Sequence, residues 1–239
     1  MIQLTGFHAI EEALRSAKRG EGRLRISGKG PRIKKIEEIA AKRGIPVLRV
    51  SKAELTALVG QDHRGIAFEA SLDRRELTLE GFLAEFNAEN GLVLLLDGVT
   101  DPHNLGAILR SADQFEADLV CLPERRSAPE TAVVANSSAG AVHHVPQVRL
   151  PNLSRAAELL KQHEFWIYAA VMGGAPINSL DLTGRTAVVL GSEGSGVSAN
   201  LLRHSDAEIA IPTRGRVDSL NVSVAAGVIL YEVRRQQGW

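Results

Sequence analysis

Three polar, glycine-bearing segments hold most of the residues in this chain that could do chemistry. The first begins Asp97-Gly98-Val99-Thr100-Asp101-Pro102-His103-Asn104 and continues to Arg110-Ser111-Ala112. It follows an apolar run, so a strand ends in an acid-glycine turn and passes through Asp-Pro into a helix. Asn104 belongs at the start of that helix, where its amide can point back toward the strand ends. Arg110 lies six positions on, about 600° around a helix, so the two do not share one narrow face. A permanent cation at Arg110 can grip a phosphate or stabilise a developing alkoxide. Taken alone, this segment reads better as a helix cap plus a surface arginine.

The second segment, Ala187-Val188-Val189-Leu190-Gly191-Ser192-Glu193-Gly194-Ser195-Gly196-Val197-Ser198, is a glycine-rich loop after a strand. Backbone amides in such a loop can approach a nucleotide-like ligand closely. The common phosphate fingerprints fail, because no Gly-Lys-Ser/Thr is present and Gly191, Gly194 and Gly196 reverse the dinucleotide spacing. Glu193 inside the loop repels phosphate, so a neutral or cationic ligand such as a sulfonium suits it better. The third segment runs from Ile211-Pro212-Thr213-Arg214-Gly215-Arg216 through Ser219-Leu220-Asn221-Val222-Ser223 into a long final helix. Ser219 is the expected cap, and Asn221 and Ser223 place more polar groups in the first turn.

Other reactive types carry less. Cys121, the single cysteine, excludes an internal disulfide framework, fits a reducing cytoplasm and falls in an expected strand as a buried thiol. His143 and His144 diverge if they lie on a strand, and no neighbouring carboxylate or cysteine completes a ligand set, so no metal is expected. His103 reads as a turn residue that could touch a ligand.

The elements that must position these groups follow from periodicity. In the first part, Ile10 and Leu14 mark a helix, Leu24 to Ile26 a strand, and Ile33 to Ala40 an amphipathic helix ended by Gly44. Pro46 to Val50 reads as a strand, Ser51 caps a helix over Lys52 to Val59 with Glu54 three residues on, and Ile66 to Ala70 closes the unit. Polar residues then lead to Leu92-Val93-Leu94-Leu95-Leu96, an apolar run expected of a strand covered on both faces. A helix over Asn104 to Phe115 follows, with later strands at Asp118 to Leu122, His144 to Arg149, Trp166 to Val171, Ala187 to Leu190 and Glu208 to Ile211. This βαβ rhythm indicates an α/β fold with a mainly parallel sheet. The expected organisation is a small α/β domain over 1–72, a linker with a short helix over 73–90, and a larger domain over 91–239.

The composition, 44% apolar and 23% charged, is that of a folded soluble protein. No apolar run approaches the roughly 20 residues of a membrane span, and the N-terminus lacks a signal peptide's apolar core. The net charge is zero, yet residues 1–72 hold 14 Lys and Arg against 8 Asp and Glu, while the remainder holds 14 against 20. A basic module on a mildly acidic body can guide a polyanion.

DGVTDPHNLGAILRSA, VVLGSEGSGVS and IPTRGRVDSLNVSVAAGVILYE, in this order, resemble the three motifs of the SpoU, or TrmH-like, RNA ribose 2′-O-methyltransferases of the SPOUT superfamily. The likeness spans about 92 to 237. GFHAIEEAL and DHRGIAFEA are similar to the flanks of the ribosomal-protein-like RNA-binding domain of the 23S rRNA guanosine branch. Thr213, where methionine is frequent, is a departure. The resemblance implies a deep trefoil knot, a homodimer, S-adenosylmethionine as cofactor, and RNA as substrate, with 23S rRNA preferred and tRNA the alternative. It implies that Arg110 activates the ribose hydroxyl in concert with phosphate, that Asn104, Glu193, Ser219 and Asn221 shape the site, and that Leu190, Gly191, Gly196, Ile211 and Leu220 hold the cofactor. A catalytically silent RNA-binding module would have lost the arginine or the Ser-Leu-Asn motif, and an enzyme of another nucleotide cofactor conflicts with the glycine spacing.

Overall fold

A computed structural model describes residues 2–61, 63–70, 77–128, 131–217 and 219–239. The chain divides into two compact units, Met1–Arg75 with Glu130–His144, and Glu76–Pro129 with Val145–Trp239. Residues 73–76 of the expected linker lie outside the described residues, as does Asp218 in the third motif.

The first unit holds β1 (Ile2–Leu4), α1 (Phe7–Ser16), β2 (Arg23–Ile26), α2 (Pro31–Lys42), β3 (Val47–Arg49), α3 (Lys52–Val59) and β4 (Ile66–Ala70). Its sheet has the order β1-β4-β2-β3, with β4 antiparallel to β1 and β2, and β2 parallel to β3. α2 buries Ile33, Ile36 and Ala40 on one stripe, starts with proline, and stops at Gly44, whose φ of 67° favours glycine. α3 is nucleated by a reciprocal cap: Glu54 N–H donates to Ser51 Oγ at 3.1 Å, and Ser51 N–H donates to Glu54 Oε2 at 2.7 Å. Leu4, Ile10, Leu14, Leu24, Ile26, Ile36, Leu55, Ile66 and Phe68 form its fully buried core.

The second unit holds α4 (Leu79–Glu85), β5 (Gly91–Asp97), α5 (Pro102–Gln114), β6 (Leu119–Pro123), then β7 (Gln147–Leu150). Of the segment between β6 and β7, residues 130–144 belong to the first unit. There α6 (Ala132–Ser137) and a 3₁₀ turn, Ala141–His143, pack on α1. Gly6 N–H donates to Asn136 Oδ1 at 3.0 Å, and Asn136 Nδ2 donates to Thr5 Oγ1 at 3.1 Å. The expected strand from His144 therefore begins only at Gln147. The two histidines sit on the tight turn and its end, with His144 Nε2 2.9 Å from Glu12 Oε2.

Beyond β7 come α7 (Leu153–Gln162), β8 (Trp166–Pro176), β9 (Arg185–Gly191), α8 (Ala199–His204), β10 (Ala207–Ala210) and α9 (Val222–Gln236). The six strands take the order β10-β8-β9-β5-β6-β7, and every adjacent pair is parallel. Alternate side chains explain the unbroken apolar runs. Val93, Leu95, Cys121, Val148, Ile167 and Val189 pack with Leu79, Leu83, Leu160 and Leu201 of α4, α7 and α8. Their neighbours Leu92, Leu94, Leu96, Val188 and Leu190 are equally buried and point to the other face, where α9 packs against α5 and β9. Full burial of each such leucine or valine stabilises by about 1.5–3 kcal/mol against exposure. α5 begins at Pro102, two residues before the expected Asn104, because Asp101 caps it by accepting from His103 N–H at 2.9 Å. Among the described residues no helix is long and apolar enough to cross a membrane.

Candidate active site

Because all six strands of the second unit run in one direction, the loops after β5, β9 and β10 leave the same edge of the sheet. Ligands of parallel sheets collect at such an edge. β5 and β9 are neighbours with Asp97 opposite Gly191, so the first two motifs start side by side. Asp97 ties them further: its Oδ2 accepts from Ser198 N–H at 2.8 Å. In the sequence Asp97 reads only as part of a turn, and the signal that it does more is an acid ending a buried strand beside a glycine loop.

The glycine loop closes on itself. Ser192 and Gly196 exchange backbone hydrogen bonds of 3.1 and 3.0 Å, and the hydroxyls of Ser192 and Ser195 lie 2.5 Å apart. Gly194 and Gly196 have φ of 95° and 65°, open to glycine at little cost. Gly191 has no room for a side chain: a Cβ there would lie 2.1 Å from the Gly196 carbonyl carbon. This folding presents Glu193 outward.

The three motifs then converge on one carboxylate. Asn104, third residue of α5 and 8% exposed, donates from Nδ2 to Glu193 Oε1 at 3.0 Å. Asn221 donates from Nδ2 to the same oxygen at 2.7 Å and to Asn104 Oδ1 at 3.0 Å. Asn221, not the expected Ser219, caps α9, its Oδ1 accepting from Ser223 N–H at 2.9 Å and from Ser223 Oγ at 2.6 Å. Glu193 Oε1 is thus held by two amide donors, while Oε2 has no hydrogen-bond partner among the described residues and can accept from a ligand.

Arg110 is exposed on α5 and has no hydrogen-bond or ion-pair partner among the described residues. Leu190 is 2% exposed at the end of β9, Gly191 ends that strand, and Gly196 lies in the loop. Ile211 directly follows β10, while Ser219 and Leu220 are exposed just before the Asn221 cap. The peptide groups of 212–217 and 219–220 enter no backbone hydrogen bond with the described residues, which leaves donors and acceptors free for a polar ligand. A separate cleft lined by Trp166, Tyr168, Asp181 and Arg185 opens at the N-terminal ends of the strands, the edge opposite to these loops, and gathers none of the motif residues.

Residues 91–231 match the model of the SpoU rRNA methylase family, and residues 3–75 match that of the RNA 2′-O ribose methyltransferase substrate-binding domain. The 23S rRNA (guanosine-2′-O-)-methyltransferase RlmB of Xanthomonas axonopodis pv. citri is 42% identical over 218 residues, covering 90% of this chain and 87% of that protein. The crystal structure of an RNA 2′-O ribose methyltransferase superposes with a TM-score of 0.83 at 28% identity, covering 99% of this chain and 89% of the other. The fold is shared as well with the AdoMet-bound rRNA methyltransferase of Sinorhizobium meliloti, at a TM-score of 0.78 and 24% identity, over 98% and 87% of the two chains. With both family models matched and all three motifs meeting at Glu193, the chain belongs to the SpoU family of RNA 2′-O-ribose methyltransferases.

Proposed function

We propose that this chain transfers a methyl group from S-adenosylmethionine to a ribose 2′-hydroxyl of a structured RNA, a guanosine of 23S rRNA before any tRNA. The observation that carries this reading is the Asn104–Glu193–Asn221 cluster, asparagines of two motifs on the carboxylate of the third. When bound, the cofactor supplies an electrophilic methyl carbon, so the protein has chiefly to position and activate the hydroxyl. The site suits a sulfonium: its glycine loop carries an acid and no cation, and the unpaired peptide groups after β10 offer partners for polar groups.

Arg110 would grip the phosphate beside the target ribose and set it against the 2′-hydroxyl, whose proton would pass to a phosphate oxygen as the O–CH₃ bond forms and the bond from the methyl carbon to sulfur breaks. A guanidinium is a poor free base, so the phosphate takes part in that proton transfer. Glu193, held by Asn104 and Asn221, orients ligand donors through Oε2. Leu190, Gly191, Gly196, Ile211 and Leu220 would hold the cofactor, and Ser219 would complete the approach to it.

We also read this member as knotted, dimeric and cytoplasmic. The insertion of β9 between β8 and β5 supports the trefoil knot of the SPOUT fold. For the homodimer, Val224, Val228 and Tyr231 expose 52, 40 and 53% of their surfaces at i, i+4 and i+7 on α9, an apolar stripe suited to a second copy. The test is calorimetry with S-adenosylmethionine followed by labelled methyl transfer to 23S rRNA and to bulk tRNA. Cofactor binding with rRNA labelling is expected. No cofactor binding sinks the reading, and labelling of tRNA alone moves the substrate.

A further inference from the structure

The first unit carries basic residues at both edges of its sheet, and helix polarity tells the two edges apart. β1, β2 and β3 run one way and β4 the other. The loops entering α1, α2, α3 and β4 therefore gather at one edge, which exposes Lys29, Arg32, Arg49, Lys52 and Arg64. The opposite edge holds Arg15, Arg19, Arg23, Lys42 and Arg43.

Cations at that opposite edge have a structural reason. Arg15 and Lys42 lie in the last turns of α1 and α2, where free carbonyls and the helix dipole attract positive charge. Arg43 donates to the carbonyls of Arg15 and Ala17. At the first edge the same physics works in reverse. Arg32 is the second residue of α2 and Lys52 the first of α3, against positive helix ends, and neither α1 nor α2 has an acid in its first turn. The helix ends themselves do not favour these cations, whereas they do favour an external anion held by them.

The edge is also held in shape. Ser27 and Gly28 N–H both donate to the Gly65 carbonyl at 2.9 Å, and a Cβ on Gly65 would lie 2.8 Å from Gly28 Cα. His63, 2% exposed, accepts from Gly65 N–H at 2.9 Å and sits 3.0 Å from Thr56 Oγ1. Between them Arg64 takes φ 47°, a region that non-glycine residues avoid, with its side chain exposed. Arg49 bonds the Gly28 carbonyl at 3.1 Å and pairs with Glu37, and Arg32 pairs with Glu11 over the Phe7 ring. Among the described residues Lys29, Lys52 and Arg64 have no ion-pair partner.

Resting on the reading of the chain as an RNA-modifying enzyme, we infer that this edge, centred on Lys29, Lys52 and Arg64, is the surface by which the first unit grips the phosphate backbone of folded RNA, and that the Arg19 and Arg23 edge is not. Such a surface positions the substrate without reading its bases.

The test uses the full chain carrying Lys29→Gln, Lys52→Gln and Arg64→Asn, asparagine being tolerant of the left-handed backbone at 64. Binding to a 23S rRNA transcript is measured over a range of salt. Affinity should fall at least about tenfold, and the slope of log K against log salt should flatten by about 2, as for three lost phosphate contacts. Binding of S-adenosylmethionine, in the other unit, should be unchanged, and Lys29→Arg, Lys52→Arg and Arg64→Lys should restore RNA affinity. Arg19→Gln, Arg23→Gln and Lys42→Gln together should leave binding within about twofold. Wild-type affinity in the first triple variant, or an equal loss in the second, overturns the edge assignment and leaves the enzymatic reading standing. If the first triple variant fails to fold, RNA affinity not retained by the charge-keeping triple overturns it too. Wild-type protein that binds no RNA overturns both.

Discussion

Asn221 Nδ2 lies 2.7 Å from Glu193 Oε1 while Asn221 Oδ1 accepts from Ser223 N–H at 2.9 Å, so one side chain caps the last helix and holds the motif carboxylate. The two roles separate by substitution. Asn221→Ala loses both, costing about 1 kcal/mol for the cap and at least about tenfold in methyl transfer. Asn221→Asp keeps the acceptor for Ser223 but sets a second carboxylate against Glu193. Repulsion between the two like charges then favours proton uptake by the pair in the folded state over the unfolded one. The folded state thus binds more protons than the unfolded one, and stability falls as pH rises out of the carboxylate range. Thermal unfolding across pH should show this slope in Asn221→Asp and not in Asn221→Ala. A flat profile in both would mean that the contact with Glu193 does not persist in solution.

Arg110 offers the opposite case, a residue whose removal should spare the fold. It is exposed and unpaired among the described residues, and such surface changes stay within about 0.5 kcal/mol. Arg110→Ala should leave the melting temperature in place and lower methyl transfer at least about 100-fold. Arg110→Lys keeps the charge without the planar fork and should fall between. A retained rate in Arg110→Ala would remove the role assigned to it.

The parts of this arrangement differ in how legible they are in the sequence. The convergence on Glu193 was accessible, because an acid among glycines and two asparagines after strand-like runs already point to one edge of a parallel sheet. The cap of α9 was not. Ser219 and Asn221 are both good capping types, and only the extended ψ of 140° at Asn221, with helix from Val222, decides between them. The segment 132–143 hid its partner for a different reason. Its buried Val134, Ala135, Ala141 and Val142 make an apolar pattern that fits either unit, and the contact with α1 is set by Asn136 bonding to Gly6 and Thr5. β8 likewise runs on past Val171 to Pro176, after a shift of register opposite Glu208 and Ile209. Gly173 and Gly174 gave no periodicity by which to foresee it.

The glycine loop makes a graded prediction. In Gly191→Ala the new methyl group meets the Gly196 backbone at 2.1 Å, so the loop must open. Overpacking of this kind costs about 1–3 kcal/mol, and the displaced loop should weaken S-adenosylmethionine binding at least about tenfold. Gly194→Ala meets nothing within 4 Å. Its cost is only the left-handed backbone at φ 95°, about 1 kcal/mol. Calorimetry on the two variants should keep this order, and equal losses would show that the packing of Gly191 on Gly196 is not what shapes the pocket.

Cys121 tests the core beneath that pocket. It lies on β6 between Leu95 and Val148 of the flanking strands and is fully buried. Burial alone pushes its thiol up to about 12, because the low-dielectric core disfavours a thiolate. Only the thiolate attacks a disulfide reagent, so at neutral to mildly alkaline pH the native protein should react no faster than it unfolds. Labelling should reach one equivalent in denaturant, and its native rate should follow the unfolding rate as temperature rises. Cys121→Ser should destabilise by about 1–3 kcal/mol, since the strand's apolar neighbours offer its hydroxyl no partner. Rapid stoichiometric labelling of the native protein would mean that β6 opens locally, and that the central sheet does not hold the three loops as rigidly as their shared contacts with Glu193 require.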